Sequence, residues 1–228
     1  MSKTILVMGE SGSGKTTSLR NLDPTTTYII DADKKGLNWK GWREQYSEEK
    51  RNYYKTDYSQ MVEKLLRFLN GQTIDEKGKV VEAKNKDGLK YKVVVIDTIN
   101  ALMVADENRR RYEKNYDKWA DLAWSIYGIL DLALSLRDDL TVVFLAHSQT
   151  DRDDTGFNFT RVKTSGKKLD KITVESKLNT VVWARKDEDG YKFVLSDANS
   201  TTKVPMGAFE EKVIENDITK VIDALKDF

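Results

Sequence analysis

The sequence predicts an α/β domain with a mostly parallel central sheet flanked by helices and carrying β-hairpin insertions. Three observations predict it. Apolar runs of strand length alternate with longer stretches of helical period, the arrangement that builds parallel sheets. Two of those runs, Val93-Val94-Val95-Ile96 and Val142-Val143-Phe144-Leu145-Ala146, have no polar interruption, as strands buried on both faces require. A glycine-rich turn, Gly9-Glu10-Ser11-Gly12-Ser13-Gly14-Lys15-Thr16, follows the first run in the G-x-x-x-x-G-K-[ST] pattern of a P-loop.

Taken in order, Thr4–Met8 reads as the first buried strand, and Thr17–Leu22 after the P-loop can open a helix. Thr27–Ile30 reads as a second strand ending in Asp31-Ala32-Asp33. Residues 34–51 mix charges with Trp39, Trp42 and Tyr46 and predict a loop or short helix. Asn52–Lys55 is a third strand. Asp57 is then expected to cap a helix with Val62, Leu65, Leu66 and Leu69 on one face and Gly71 as its stop. Residues 72–92 are polar, with turn signals at Lys77-Gly78 and Asp87-Gly88, and predict an inserted β-hairpin.

Val93–Asp97 is a central strand ending in an acid. Helices are expected over 99–115 and 118–136, the second deeply packed through Leu122, Ala123, Ile126, Leu130 and Ala133. Thr141–Ala146 is the next strand, ending at His147. Residues 148–171 show no apolar period and read as a polar loop. Asn179–Arg185 and Tyr191–Leu195 form strands around a turn at 187–190, and a last helix covers 217–227. With no repeat and no linker, 1–228 reads as a single domain.

Composition removes several classes of function. The 228 residues carry 38 Lys+Arg against 37 Asp+Glu, so any polyanion site must come from local clustering rather than net charge. The absence of cysteine excludes disulfides and thiolate metal sites, and the single histidine, His147, disfavours a histidine zinc site. No apolar run reaches the ~20 residues of a membrane span. With no leader visible, a soluble cytoplasmic protein is expected.

In a parallel sheet, ligands sit beyond the C-terminal strand ends. The P-loop, Asp31/Asp33, Asp97 and His147 all fall at such ends. Backbone N–H groups of the glycine turn can cradle phosphate oxygens. Gly9, Glu10, Ser11, Gly12, Ser13, Gly14, Lys15, Thr16 and Thr17 are therefore the candidate nucleotide-binding residues, for ATP. Lys15 would neutralise the β- and γ-phosphates, and Thr16 with Asp97 would hold Mg²⁺. Thr98, not glutamate, follows Asp97, so the general base must lie elsewhere. Asp33 is the candidate, at the end of the strand expected beside the P-loop strand, with Asp31 as the alternative. His147 could donate a hydrogen bond towards the γ-phosphate. Arg109-Arg110-Arg111 reads as a solvated face. Arg161, Lys163, Lys167, Lys168 and Lys171, interspersed with aromatic Phe157 and Phe159 nearby, suit single-stranded DNA on the 148–171 loop.

These signals together resemble the RecA-type ATPase core, over about residues 3–200. Tyr28-Ile29-Ile30-Asp31-Ala32-Asp33 looks like the family's strand ending in the catalytic acid, with Asp33 where a glutamate is usual. Val93–Asp97 followed by Thr98-Ile99-Asn100-Ala101-Leu102 is similar to its Mg²⁺ strand. Phe144-Leu145-Ala146-His147 matches the strand whose last residue, commonly glutamine, senses the γ-phosphate. Thr164-Ser165-Gly166-Lys167-Lys168-Leu169 looks like the close of the second DNA-binding loop. The nearest likeness is to short phage P-loop proteins related to RecA and RadA that act in single-strand annealing. This resemblance implies a RecA-like P-loop NTPase fold and the catalytic set Lys15, Asp33 and His147. It also implies a ring or filament with ATP at subunit interfaces, Lys167 or Lys168 reaching a neighbour's phosphates, and a bacterial host's cytoplasm. The alternatives are a replication or packaging motor, a small-molecule kinase with Arg152 or Arg161 on a lid, and a nucleotide-gated binding module with negligible hydrolysis.

Overall fold

The computed structural model describes residues 2–114, 117–152, 154–164 and 173–228. Its strands are β1 (Lys3–Gly9), β2 (Thr27–Asp31), β3 (Tyr53–Lys55), β4 (Gln72–Ile74), β5 (Val80–Glu82), β6 (Val93–Asp97), β7 (Thr141–Arg152), β8 (Asn158–Val162), β9 (Thr180–Asp187), β10 (Gly190–Val194) and β11 (Val213–Glu215). Its α-helices are α1 (Trp42–Gln45), α2 (Ser59–Leu69), α3 (Ile99–Arg109), α4 (Asp117–Leu134) and α5 (Ile218–Ala224).

The main sheet runs β11-β10-β9-β1-β7-β6-β2-β3, and β8 pairs with the outer half of β7. From β9 to β3 every pairing is parallel, while β10 and β11 extend the sheet antiparallel. This is the expected α/β P-loop NTPase architecture. Alternation along the strands explains why its apolar runs are continuous, because successive side chains enter opposite layers. Leu6, Met8, Ile30, Val94, Ile96, Val142 and Phe144 face one core with α2, α3 and α4. Ile5, Val7, Ile29, Val95, Val143 and Leu145 face the other with Leu19, Leu22, Tyr46 and α5.

Several elements depart from the sequence-based expectation. The chain after the P-loop forms one 3₁₀ turn, Thr16–Leu19, in place of a longer helix. Leu19 and Leu22, three apart, are both buried, and Leu22 N donates to the Leu19 carbonyl at 3.0 Å, the spacing and bond of a 3₁₀ turn. Pro24 then blocks extension. Asp57 does not cap α2, whose N-cap residue Tyr58 makes no side-chain bond. Its carboxylate pairs with Lys34 at 2.8 Å and with Arg109, two cations that outcompete a backbone N–H. Helix α3 stops at Arg109, six residues early, and the arginine triplet is engaged: Arg109 stacks on Tyr58, and Arg110 binds Glu113 and Asp121. The 72–92 stretch does form a separate antiparallel hairpin, β4–β5. Among the described residues, no helix is long and apolar enough to cross a membrane.

The largest correction concerns residues 148–171. The first half is not a loop: β7 continues through His147 to Arg152 and pairs antiparallel with β8, Ser148 opposite Val162 and Arg152 opposite Asn158. The alternation that would announce this ribbon is hidden because polar residues occupy both of its faces. Val162, Thr160 and Ser148 are the buried members, and the buried Glu175 carboxylate accepts the Val162 N–H at 2.6 Å.

Candidate active site

Strand register fixes the floor of the site. Gly9 lies level with His147, and Asp97 lies level with Leu145 and with Asp31. Asp97 thus sits two residues below the rim, on the strand one removed from the P-loop strand, and the P-loop arches over it. A cleft of about 380 Å³ results, whose walls include Lys15, Thr16, Asp33, Asp97, Thr98, His147 and Tyr191.

The P-loop's own geometry explains its glycines at one position above all. Gly14 has φ of +91°, and a Cβ there would meet Tyr191 at 2.8 Å and the Asn216 amide at 3.2 Å. Only glycine keeps both the turn and its wall. Lys15 is buried, and its Nζ donates to the Gly9 and Glu10 carbonyls at 2.8 and 2.7 Å. Burial lowers its pKa to about 8, against the opposing pull of the Asp97, Asp33 and Glu10 charges, so it remains cationic at neutral pH.

Thr16 Oγ1 donates to Asp97 Oδ2 at 2.7 Å. Burial pushes the Asp97 carboxyl up to about 7; the charges of Asp33 and Asp31 add to that, and the Thr16 hydrogen bond and Lys15 oppose it. A carboxylate buried at such cost, with a hydroxyl already on one oxygen, is a hard-oxygen donor pair suited to Mg²⁺. The Ser13 and Thr98 hydroxyls are also buried without a partner, an arrangement that an anion and its bound waters would satisfy. Among the described residues, no three His, Asp or Glu side chains are grouped to hold a metal by themselves. That fits an ion which takes most of its ligands from phosphate and water.

Asp31 and Asp33 separate clearly. Asp31 is buried and committed: Tyr53 Oη donates to its Oδ2 at 2.5 Å and Gly36 N at 2.8 Å. Both bonds fall on Oδ2, so Asp31 braces the turn after β2 through that oxygen, while it too lines the cleft. Asp33 faces the cleft and meets Lys35 at 3.1 Å. The expectation that its strand lies beside the P-loop strand is incorrect, since β7 and β6 intervene between β1 and β2. Asp33 reaches the cleft because the Ala32 and Asp33 N–H groups both donate to the Asp97 carbonyl, at 2.7 and 3.2 Å, turning the chain across the end of β6.

His147 is half-buried on the cleft wall. Burial, then the Lys15 charge, hold its pKa below the ordinary histidine value, so the imidazole is neutral at pH 7. Its backbone is gripped by Asn100, which lies in the stretch likened to the Mg²⁺ strand but has no predicted role: Asn100 Oδ1 accepts the His147 N–H at 2.7 Å, and Asn100 Nδ2 donates to the Lys163 carbonyl at 2.6 Å. Tyr191 and Tyr53 were equally unmarked, being aromatic residues on strands with no distinguishing spacing.

Of the predicted DNA-contacting residues, Arg161 lies on β8 with its Nε donating to Asp151 at 2.6 Å, and Lys163 is exposed just beyond β8. Lys167, Lys168 and Lys171 lie outside the described residues. The AAA domain family matches residues 1–203, which takes in the P-loop, Asp33, Asp97, His147 and the β7–β8 ribbon. The chain belongs to this AAA domain family. Comparison with curated proteins finds no match. As an AAA domain, it is a nucleotide-binding P-loop ATPase.

Proposed function

We propose that this AAA domain is a RecA-like, Mg²⁺-dependent ATPase that grips single-stranded DNA and promotes annealing or strand exchange, like the phage proteins its motifs resemble. One observation carries the reading. The strand that places His147 in the cleft runs without interruption into the ribbon bearing Arg161, Phe157 and Phe159, with Lys163 just beyond. A change at the nucleotide is thereby connected to a surface of cations and aromatic rings, the chemistry that tracks single strands.

The P-loop amides would receive the phosphates while Lys15 exchanges loop carbonyls for phosphate oxygens. Thr16 and Asp97 would hold the Mg²⁺, which supplies charge neutralisation at the β- and γ-phosphates. Asp33 accepts a proton from the water that attacks the γ-phosphorus as the bridging bond to ADP breaks. Neutral His147 donates a hydrogen bond to the γ-phosphate. By the same resemblance the protein works as a homo-oligomeric ring or filament, with Lys167 or Lys168 reaching a neighbour's phosphates.

A second reading rests on Lys35. Its ammonium sits 3.1 Å from Asp33 Oδ2 and so occupies an oxygen that would otherwise face the attacking water, which favours a nucleotide-gated DNA-binding module with slow hydrolysis. ATPase rates with and without single-stranded DNA separate the two, using wild type, Lys15→Ala and Asp33→Ala. The expected result is stimulation by DNA, abolished in Lys15→Ala, and a loss on the order of 100-fold in Asp33→Ala, the lower end for a general base. DNA retention in ATP without turnover supports the gated module. The absence of both stimulation and retention sinks the DNA reading.

A further inference from the structure

Asn100 closes a gap in the sheet. Strand β6 ends level with Leu145, so the side of β7 facing β6 has no strand neighbour at His147. Asn100, buried in the first turn of α3 and three residues beyond Asp97, stands in for the missing rung: its Oδ1 accepts the His147 N–H at 2.7 Å. The other end of the same amide donates to the Lys163 carbonyl at 2.6 Å, and Lys163 N–H returns a bond to the His147 carbonyl at 2.7 Å. Lys163 is the residue leaving β8, and the ribbon's first pair is Ser148 with Val162. A single planar amide therefore ties together the helix behind Asp97, the middle of β7 at His147, and the base of the ribbon.

We propose that Asn100 is a positioning residue that couples occupancy of the cleft to the β7–β8 ribbon. Its oxygen sets the backbone, and so the imidazole, of His147. Its nitrogen carries any shift of His147 or of the Asp97–α3 junction to the ribbon's return strand. The amide suits this task because it is rigid, neutral and satisfied at both ends; a displacement at one end breaks or drags the bond at the other. The inference rests on a nucleoside triphosphate filling the cleft, and it is independent of what the ribbon binds.

The test compares wild type, Asn100→Leu (similar volume, no polar atom) and Asn100→Ala by amide hydrogen exchange over 147–152 and 158–163. Each is measured with and without Mg²⁺ and a non-hydrolysable ATP analogue, and the analogue's affinity is measured separately by titration. In wild type the ribbon amides should slow about 10-fold on binding. In both variants that ratio should fall to within about 2-fold of unity, while affinity for the analogue falls by no more than about 10-fold, the most that one misplaced His147 hydrogen bond would cost, because Asn100 bonds the His147 backbone and not the P-loop, Thr16 or Asp97. A purely structural role would speed exchange equally in both states and leave the ratio unchanged, and that result overturns the proposal. So does a wild-type ribbon indifferent to a bound analogue. If neither variant folds, Asn100→Asp decides: keeping the acceptor and losing the amide donor, it must leave the His147 amide protected while the ribbon response disappears. A wild-type protein that binds no analogue refutes the nucleotide reading itself, an outcome distinguishable by the titration alone.

Discussion

Replacing Asp97 with asparagine should stabilise the nucleotide-free protein while disabling its site. Asp97 is buried and its pKa is raised from 3.8 to about 7 chiefly by burial, a value that already includes the attraction of Lys15. The sign follows from linkage. The folded state holds this proton more tightly than the unfolded chain does, so the associated stability is complete below pH 3.8 and is lost as pH rises towards 7. Above pH 7 the ionised carboxylate costs about 3 pKa units, or about 4 kcal/mol at 1.36 kcal/mol per unit. At pH 5 it costs only about 2 kcal/mol, because the folded protein is protonated there and just the unfolded chain ionises. Asparagine keeps an oxygen for the Thr16 hydroxyl and carries no charge. Urea unfolding in EDTA should show Asp97→Asn more stable than wild type by about 4 kcal/mol at pH 8 and about 2 kcal/mol at pH 5. Mg²⁺ with a non-hydrolysable ATP analogue at 100-fold its Kd should add about 2.7 kcal/mol to wild type and far less to the variant. A variant less stable than wild type at pH 8, or a gain that does not shrink towards pH 5, refutes the burial argument.

Three further outcomes follow from the geometry. Gly14→Ala forces a Cβ into Tyr191 and Asn216 at a backbone angle of +91°; it should abolish nucleotide binding in a titration and lower stability by about 1–3 kcal/mol. Tyr53→Phe removes the hydroxyl that donates to buried Asp31; stability should fall by about 1–3 kcal/mol in urea unfolding, with affinity for the analogue little changed. Gly88→Ala places a Cβ against the Phe68 carbonyl at the end of α2. Backbone cannot yield there as a side-chain tip would, so a loss of about 1–3 kcal/mol is expected, with ATPase activity per folded molecule unaffected.

The legible parts of the site were those whose chemistry is local in sequence. The P-loop is one contiguous turn, and Asp97 and His147 announce themselves because an apolar run must end where the chain leaves the core. Arg161 and Lys163 were legible as cations but not as parts of a ribbon, since a strand with polar residues on both faces has no alternating signature. Asp57 illustrates a second limit. Its position five residues before Val62, the first residue of an amphipathic stretch, suggests a cap, yet Arg109, 52 residues further on, takes its carboxylate.

By itself, then, the sequence determined the α/β class, the strand-ending acids and the phosphate-binding turn, because each depends on hydrophobic period or on a single short motif. Tertiary structure decided which strands are neighbours, and so everything that depends on adjacency. Asp33 is three strands from the P-loop and returns to the cleft only by folding over the end of β6. Asp31, two residues away and chemically identical, has one oxygen held by Tyr53 and Gly36. Asn100 joins His147 and Lys163, partners 47 and 63 residues distant. Side-chain hydrogen bonds over such separations leave no period in the chain, because they are set by where the strands lie and not by their order.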